Sequence, residues 1–182
     1  MMLAGFMGMY ETDEEVADLQ ALLDRSHAGS TDHLKAIIHD ERILLATDLV
    51  ALLTGMKVLS VATVTAAGEP RISALDGHFL HGTWSFSTSG TAAKAAHLAA
   101  RPATSVAHID GEAMALFSHG DALPMAPGHP RWDETIAHWT SYYDGSPLDW
   151  GPDIRLYDYR PHWMVGYAFQ RTELLRERGV EA

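Results

Sequence analysis

The stretch "VLSVATVTAAGEPRISALDGHFLHGTWSFSTSGTAAKAAHLAARPATSVAHI", residues 58–109, contains several short strand-like runs and one alanine-rich helix-like run. A strand pattern over 71–76 is expected to break at Gly77, and a hairpin is predicted over 78–88 with its turn near Gly82. Short antiparallel-type strands with one inserted helix do not follow the regular alternation of a parallel α/β sheet. They fit a small β-barrel with helical additions, in a mainly β (α+β) class.

The regions on both sides of this stretch extend the same prediction. Helices are expected before it, where Thr12 and Glu15 have the spacing of a capping box, Thr47 is a candidate N-cap and Gly55 a candidate C′ residue. Further strands and one helix are expected after residue 109. We predict a single domain, 1–182, made of a helical N-terminal extension and a barrel with inserted helices, residues 1–55 and 56–170 respectively.

Composition excludes several classes of function. The formal net charge of -11 argues against binding to nucleic acid or to an anionic membrane surface, because phosphate contacts need a basic surface. The chain has no cysteine, which removes disulfides, thiolate metal sites and thiol catalysis. The sequence contains neither a secretory signal pattern nor an apolar run long enough to span a bilayer, so we expect a cytoplasmic protein.

The run "STSGTAAKAAHL" places hydroxyl groups and a lysine where a strand passes into a helix. If Thr91 is the N-cap, Lys94 occupies position N3, and the free N–H groups of the first turn point the same way as the hydroxyls and the ammonium group. Such a convergence suits an anion, and in particular a phosphate, to which Arg71 could add a bidentate contact. The alternative is an ordinary cap with an exposed lysine, and the run by itself leaves both open.

The chain resembles the FMN-binding split-barrel family, the pyridoxamine 5′-phosphate oxidase-like proteins. The resemblance lies in "ATVTAAGEPR", "FSTS", the lysine-containing helix ending "LAARP", and "HGDAL", and it covers roughly residues 50–125. It implies a split barrel in which basic and hydroxyl groups hold the phosphate of FMN or of the deazaflavin F420. Carried over by position, the resemblance implies Arg71, Thr88, Ser89 and Lys94 as cofactor-binding residues. Ser73, Ser87 and Thr91 are further candidates for the same site.

Two positions depart from the oxidase pattern. Asp76 stands where the oxidase has a lysine, and Ala93 stands where an arginine usually precedes the helix lysine. We therefore expect a divergent branch without true pyridoxamine-phosphate oxidase activity.

Two further residues are candidates for contact with a cofactor ring. His108 lies mid-strand in "SVAHID", where it is either a core histidine bonded to backbone or a donor beside a flavin ring. Trp150 lies in a Gly/Pro loop and is a candidate for covering a ring or a substrate. No metal-ligand spacing is present among the eleven histidines, so no metal is expected, and no catalytic residue is predicted.

The resulting expectation is a flavin-binding oxidoreductase that uses FMN and acts on an unknown small molecule. The alternatives are an F420-dependent reductase and a non-catalytic protein that binds a flavin or haem. The resemblance also implies a homodimer in which two chains share each site.

Overall fold

Six antiparallel strands, closed into a barrel, form the centre of the protein in the computed structural model, which describes residues 10–180. The strands are β1 (Met56–Val64), β2 (Pro70–Leu80), β3 (Thr83–Ser89), β4 (Ala103–Asp110), β5 (Met114–Met125) and β6 (Ile154–Ala168). Their order around the barrel is β1-β2-β3-β6-β5-β4. The predicted class, a mainly β (α+β) barrel with helical additions, is confirmed.

Six α-helices and two 3-10 helices surround the strands in the described part of the chain. The α-helices are α1 (Asp13–Ala28), α2 (Asp32–Ile37), α3 (Ala46–Leu52), α4 (Ala93–Ala100), α5 (Trp132–Tyr143) and α6 (Arg171–Glu177). The 3-10 helices are Asp40–Arg42 and Pro147–Trp150. Segment 31–45 is not one continuous helix, since Ile38 is already extended and Asp40 has a φ of 49°.

The barrel interior is filled by large apolar side chains that alternate along the strands. Leu59, Trp84, Phe86 and Leu116 are all 0 % exposed. On the outside, α1 packs on β6, where the hydroxyl of Ser26 accepts a hydrogen bond of 3.0 Å from the Met164 amide. This packing attaches the N-terminal helices to the barrel.

The capping box predicted at the start of α1 is confirmed. The Glu15 amide donates to the Thr12 hydroxyl at 3.2 Å, and the Thr12 amide donates to the Glu15 carboxylate at 2.8 Å. These two bonds satisfy donors that the first helical turn otherwise leaves free.

The N-cap predicted for α3 is wrong. The helix begins at Ala46, so Thr47 lies inside it, and the Leu45 amide donates to the Asp48 carboxylate at 2.7 Å. Arg171 binds the same carboxylate, with a shortest contact of 2.6 Å. Gly55 has a φ of 72° and lies two residues after the C-cap residue Leu53, one position later than predicted.

The hairpin between β2 and β3 has the predicted turn, but Gly77 does not break β2. His81 and Gly82 have φ values of 56° and 71°, which is the backbone of a type I′ turn. At Gly77 a Cβ atom would lie 2.2 Å from the Leu59 side chain. Glycine is needed there because the barrel interior leaves no room for a side chain, and the strand continues through it.

Candidate functional site

The turn from β3 into α4, residues 89–94, differs in detail from the prediction. The N-cap residue is Ala92, without a side-chain hydrogen bond, so Thr91 is not the cap and Lys94 is at N2 instead of N3. The Ser89 hydroxyl instead lies 2.8 Å from the Thr91 hydroxyl and accepts from the Thr91 amide at 3.3 Å. The first turn of α4 thus begins with no side chain on its free N–H groups, and Lys94 is half-buried beside them.

Strand alternation divides the predicted hydroxyl groups between two faces of β3. Ser85 lies on the outer face, because its hydroxyl accepts from the Trp139 indole at 3.2 Å, and Ser87 and Ser89 follow on the same face. Thr88 alternates with them and is only 8 % exposed. Ser87 and Ser89 are therefore the strand hydroxyls that an external ligand can reach first.

Arg71 and Ser73 lie near the start of β2, at the end of the barrel that α4 covers. Arg71 faces Thr63 of β1 in register, and the Thr63 hydroxyl is 3.0 Å from Nδ1 of His97 on α4. The Arg71 guanidinium is paired with Glu69 at 2.6 Å, while Ser73 is half-buried. Arg71 thus lies at the α4 end of the barrel, and it has a carboxylate partner, Glu69, that sequence analysis did not predict.

Arg155 is a second cation at this turn, and sequence reasoning missed it. A Cβ atom at Gly90 would lie 2.4 Å from Nε of Arg155 and 1.9 Å from Asp153, so both side chains lie directly over that glycine. The Gly90 amide also donates to the Asp153 carbonyl at 2.7 Å. The only sequence signal was the glycine itself, which permits this close approach but does not name its partner.

His108 is bonded to backbone, as in the first of its two sequence-based interpretations, but it is half-buried and not a core residue. Its Nδ1 lies 3.0 Å from the Val58 carbonyl oxygen, and its ring is 6.2 Å from that of Trp84. It lies on β4, which pairs with β1 and β5 and not with β3. The structure therefore does not bring His108 onto the strand that carries the turn.

Trp150 belongs to a group of aromatic side chains outside β2 and β3, which we call the aromatic cluster: His78, Trp139, Tyr142, Tyr143 and Trp150. The Trp150 ring is 45 % exposed and packs edge-on against Tyr143, with centroids 4.7 Å apart. Trp150 and Asp153 are three positions apart in sequence, a span of roughly 10 Å at most. Because Asp153 binds Gly90, the cluster and the turn are neighbours.

A chain of hydrogen bonds runs through the aromatic cluster. His78 is 0 % exposed, with Nδ1 at 2.8 Å from Nε2 of His138 and Nε2 at 3.3 Å from the Tyr143 hydroxyl. Tyr143 donates to the Asp76 carboxylate at 3.3 Å. One ordering, assigned from this network, satisfies every group: His138 donates to His78, His78 to Tyr143, and Tyr143 to Asp76.

Burial sets the protonation of this chain. Desolvation, followed by the charge of His138, lowers the pKa of His78 to about 3. Burial also raises the pKa of Tyr143, with the Asp76 carboxylate adding to the effect. The two central groups are therefore neutral at pH 7, which is the state that the hydrogen-bond ordering requires.

One side of the barrel exposes apolar side chains that no helix covers in the described part of the chain. Val58, Ile72 and Ile109 are 56 %, 74 % and 57 % exposed. Between them lie small residues, since Ser60 faces Ala107 and Ala62 faces Ser105 in register. We call this surface the apolar face.

Within residues 10–180, no helix is long and apolar enough to cross a membrane. In the same range, no three His, Asp or Glu side chains are grouped so that they could hold a metal ion.

Comparison with known proteins was made at three levels. No family model matches the chain, and no curated protein matches it. Solved structures do match, at low sequence identity. They include HutZ, the haem storage protein from Vibrio cholerae, with 22% identity, a TM-score of 0.53 and coverage of 61% of this chain and 86% of that chain.

Two further structures share the fold. An FAD-binding protein from Mesorhizobium loti has 17% identity and a TM-score of 0.54, over 69% of this chain and 94% of that one. Atu2129, a protein of unknown function from Agrobacterium tumefaciens, has 22% identity and a TM-score of 0.54; the match covers 64% of this chain and about half, 52%, of that one. These likenesses show the fold of the protein, a split barrel of mixed α+β type.

Proposed function

We propose that this chain binds a flavin-type cofactor by its phosphate at the turn 89–94 and acts as an oxidoreductase on a small molecule. The observation that carries the proposal is that the uncapped start of α4, which bears Lys94, follows Gly90, over which the Arg155 side chain lies. Free N–H groups, an ammonium and a guanidinium together suit a phosphate oxygen better than any neutral ligand.

The residues of the turn fit this group by their donor chemistry. Lys94, the α4 amides and the Ser89 and Thr91 hydroxyls can donate to phosphate oxygens, and Arg155 can do so if its pairing with Asp153, at 3.2 Å, loosens. Arg155 also compensates in part for the positive charges missing at Asp76 and Ala93. With this altered set, true pyridoxamine-phosphate oxidase activity is not proposed.

A bound flavin would supply hydride or electron transfer, so the protein has to position the ring and exclude water. Trp150 and Tyr143 present a half-exposed aromatic surface within reach of the turn, and they are the side chains we assign to the ring. Asp76, at the exposed end of the hydrogen-bond chain, would hold the Tyr143 hydroxyl in place beside it.

FMN is our first assignment and F420 the alternative, because both carry a phosphate that such a turn can hold. The FAD-binding protein from Mesorhizobium loti supports a flavin in this fold. HutZ, a haem storage protein, supports the remaining alternative, a carrier without turnover.

A homodimer is part of the proposal. On the apolar face Val58, Ile72 and Ile109 are exposed around small residues, as expected of a surface that a second copy covers. Outward positions on β2 run from Ile72 through Ala74 to Asp76, so a partner on this face would border the aromatic cluster. We therefore propose that two copies share each site.

The test is visible absorption of the purified full chain after addition of FMN, F420 or haem and removal of unbound ligand. We expect a retained two-band flavin spectrum, and at least tenfold weaker FMN binding in Lys94→Ala and in Arg155→Ala, since each removes a charge-assisted contact. Lys35→Ala and Arg176→Ala, which change cations outside the turn, should leave binding unchanged.

The outcomes separate the alternatives. Retention of F420 alone would support the reductase, and a haem band without flavin retention would support the carrier. Retention of none of the three ligands, or equal FMN affinity in Lys94→Ala, would contradict the phosphate site. Turnover of the flavin-loaded protein with a chemical reductant and an acceptor screen then tests the enzyme itself.

A further inference from the structure

A cleft of about 410 Å³ lies between α1 and the barrel, away from the turn 89–94. Its walls come from α1, the β2–β3 hairpin, β6 and the segment just before α5. Thr83, at the start of β3, lines it, whereas the turn follows Ser89, six residues along the same strand, roughly 20 Å away. The two sites are therefore separate, and we call this one the α1 cleft.

The floor of the α1 cleft is a buried carboxylate with two guanidinium groups and an imidazole around it. Asp158 is 5 % exposed. Arg160 approaches it at 3.3 Å through Nε, His129 at 3.5 Å and Arg131 at 3.6 Å. A single carboxylate thus anchors two guanidinium groups and an imidazole at one point of the cleft.

Among residues 10–180, few hydrogen-bond partners contact the two arginines of the cleft, Arg131 and Arg160. Arg131 lies 3.6 Å from Asp158 and 3.8 Å from Glu15, distances too long for hydrogen bonds. Arg160 makes one hydrogen bond through Nε, which leaves its terminal nitrogens available. A guanidinium has five N–H donors, so these two residues offer several donors to a ligand in the cleft.

The carboxylates in the cleft are already engaged or lie at its edge. Glu15 caps α1 and binds Nδ1 of His81 at 3.0 Å. Asp158 is contacted by Arg160, His129 and Arg131. Asp18 is exposed on α1, where water screens its charge, and Arg25 lines the cleft from the same helix. An apolar part of the wall is formed by Leu19, Leu22, Pro130 and Pro161.

We propose that the α1 cleft binds a small organic acid, whose oxyanion group is held by Arg131 and Arg160 and whose apolar part lies against Leu19 and Leu22. Guanidinium groups suit a carboxylate or a phosphate ester equally well, because both present at least two oxygen acceptors. The cleft volume of about 410 Å³ accommodates a small organic acid. The Arg131 side chain is 33 % exposed, and this partial burial strengthens a charge-assisted contact.

The experiment is titration calorimetry of the full chain with three probes: hexanoate, phenyl phosphate and inorganic phosphate. We expect hexanoate, phenyl phosphate or both to bind, more tightly than inorganic phosphate because only they have an apolar part. Binding of hexanoate alone identifies a carboxylate ligand, and binding of phenyl phosphate alone identifies a phosphate ester. In Arg131→Gln and Arg160→Gln the affinity should fall at least fivefold, whereas the matched surface change Arg176→Gln should not alter it.

Two controls keep the inference separate from the cofactor site. Lys94→Ala should weaken FMN binding but leave binding of the organic-acid probe unchanged. Arg131→Gln should weaken binding of the probe but leave FMN binding unchanged. Because Asp158 loses a counter-ion in these variants, NMR of the wild-type chain provides a second measurement: the Leu19 and Leu22 methyl resonances should shift with the probe. No binding of any probe at 10 mM, unshifted Leu19 and Leu22 methyls, or unchanged affinity in Arg131→Gln/Arg160→Gln would overturn the proposal.

Discussion

The turn 89–94 and the aromatic cluster lie beside each other but differ in how their polar groups are hydrogen-bonded. In the cluster, His78 has partners on both ring nitrogens and Trp139 donates to Ser85, so the polar atoms are satisfied within the chain. In the turn, α4 starts without a side-chain cap, and Lys94 lies half-buried beside it. Satisfied polar groups stabilise a fold, whereas donors left free near a surface are available to a ligand.

The largest effect is expected from the two tryptophans of the cluster. Trp139 is 0 % exposed and Trp150 is 45 % exposed. Trp139→Ala should lower the free energy of unfolding by about 3–5 kcal/mol through the cavity that it leaves. Trp150→Ala should cost less than about 1 kcal/mol and, if the ring assignment is right, weaken flavin retention instead.

Urea unfolding of both variants with and without FMN measures this difference. Equal losses of stability in the two variants would show that Trp150 stabilises the fold as Trp139 does, and would contradict its assignment to a ligand ring.

The pH dependence of stability is the second test, and its sign follows from His78. The pKa of His78 is about 3 in the fold and near 6.5 in the unfolded chain, so the unfolded state binds the proton first as pH falls. Stability is therefore complete above the unfolded pKa and decreases below it, by about 2 kcal/mol from this residue between pH 7 and pH 5.

Urea titrations at pH 7 and pH 5 should show this loss in the wild type, and a smaller one in His78→Gln, which keeps hydrogen-bonding groups but does not titrate. Burial lowers the pKa of His138 as well, so part of the pH dependence should remain in the variant. An identical pH dependence in both proteins would show that His78 is not held neutral.

The smallest effects compare two threonines that precede helices. Thr12 caps α1 through a reciprocal pair of bonds, and Thr12→Ala should cost about 1 kcal/mol. Thr91 bonds only to Ser89 and caps nothing, so Thr91→Ala should change stability by less than about 0.5 kcal/mol. Thermal unfolding of the two variants checks the difference, and a loss in Thr91→Ala as large as in Thr12→Ala would restore Thr91 as a helix cap.

Local signals were enough for much of the fold. The Thr12–Glu15 box, the turn at Gly82 and the strand pattern of the barrel depend on residues that are close in sequence, and each was predicted. Predictions were wrong where a residue type that usually ends or caps an element had a different role in the structure. Thr47 was replaced as N-cap by the backbone of Leu45 bonding to Asp48, and Gly77 serves the packing of Leu59 instead of ending a strand.

The candidate site likewise combines features that the sequence predicted with features that only the structure shows. The sequence by itself determined that hydroxyl groups and Lys94 stand at the end of a strand, because strand and helix patterns are set by neighbours along the chain. Only the tertiary structure decided that Arg155 lies over Gly90, that Tyr143 reaches Asp76 across 67 positions of sequence, and that Arg131 and Arg160 meet at Asp158. Except for the Arg160–Asp158 pair, those contacts join residues distant in sequence, and they form only when the barrel and its helices assemble.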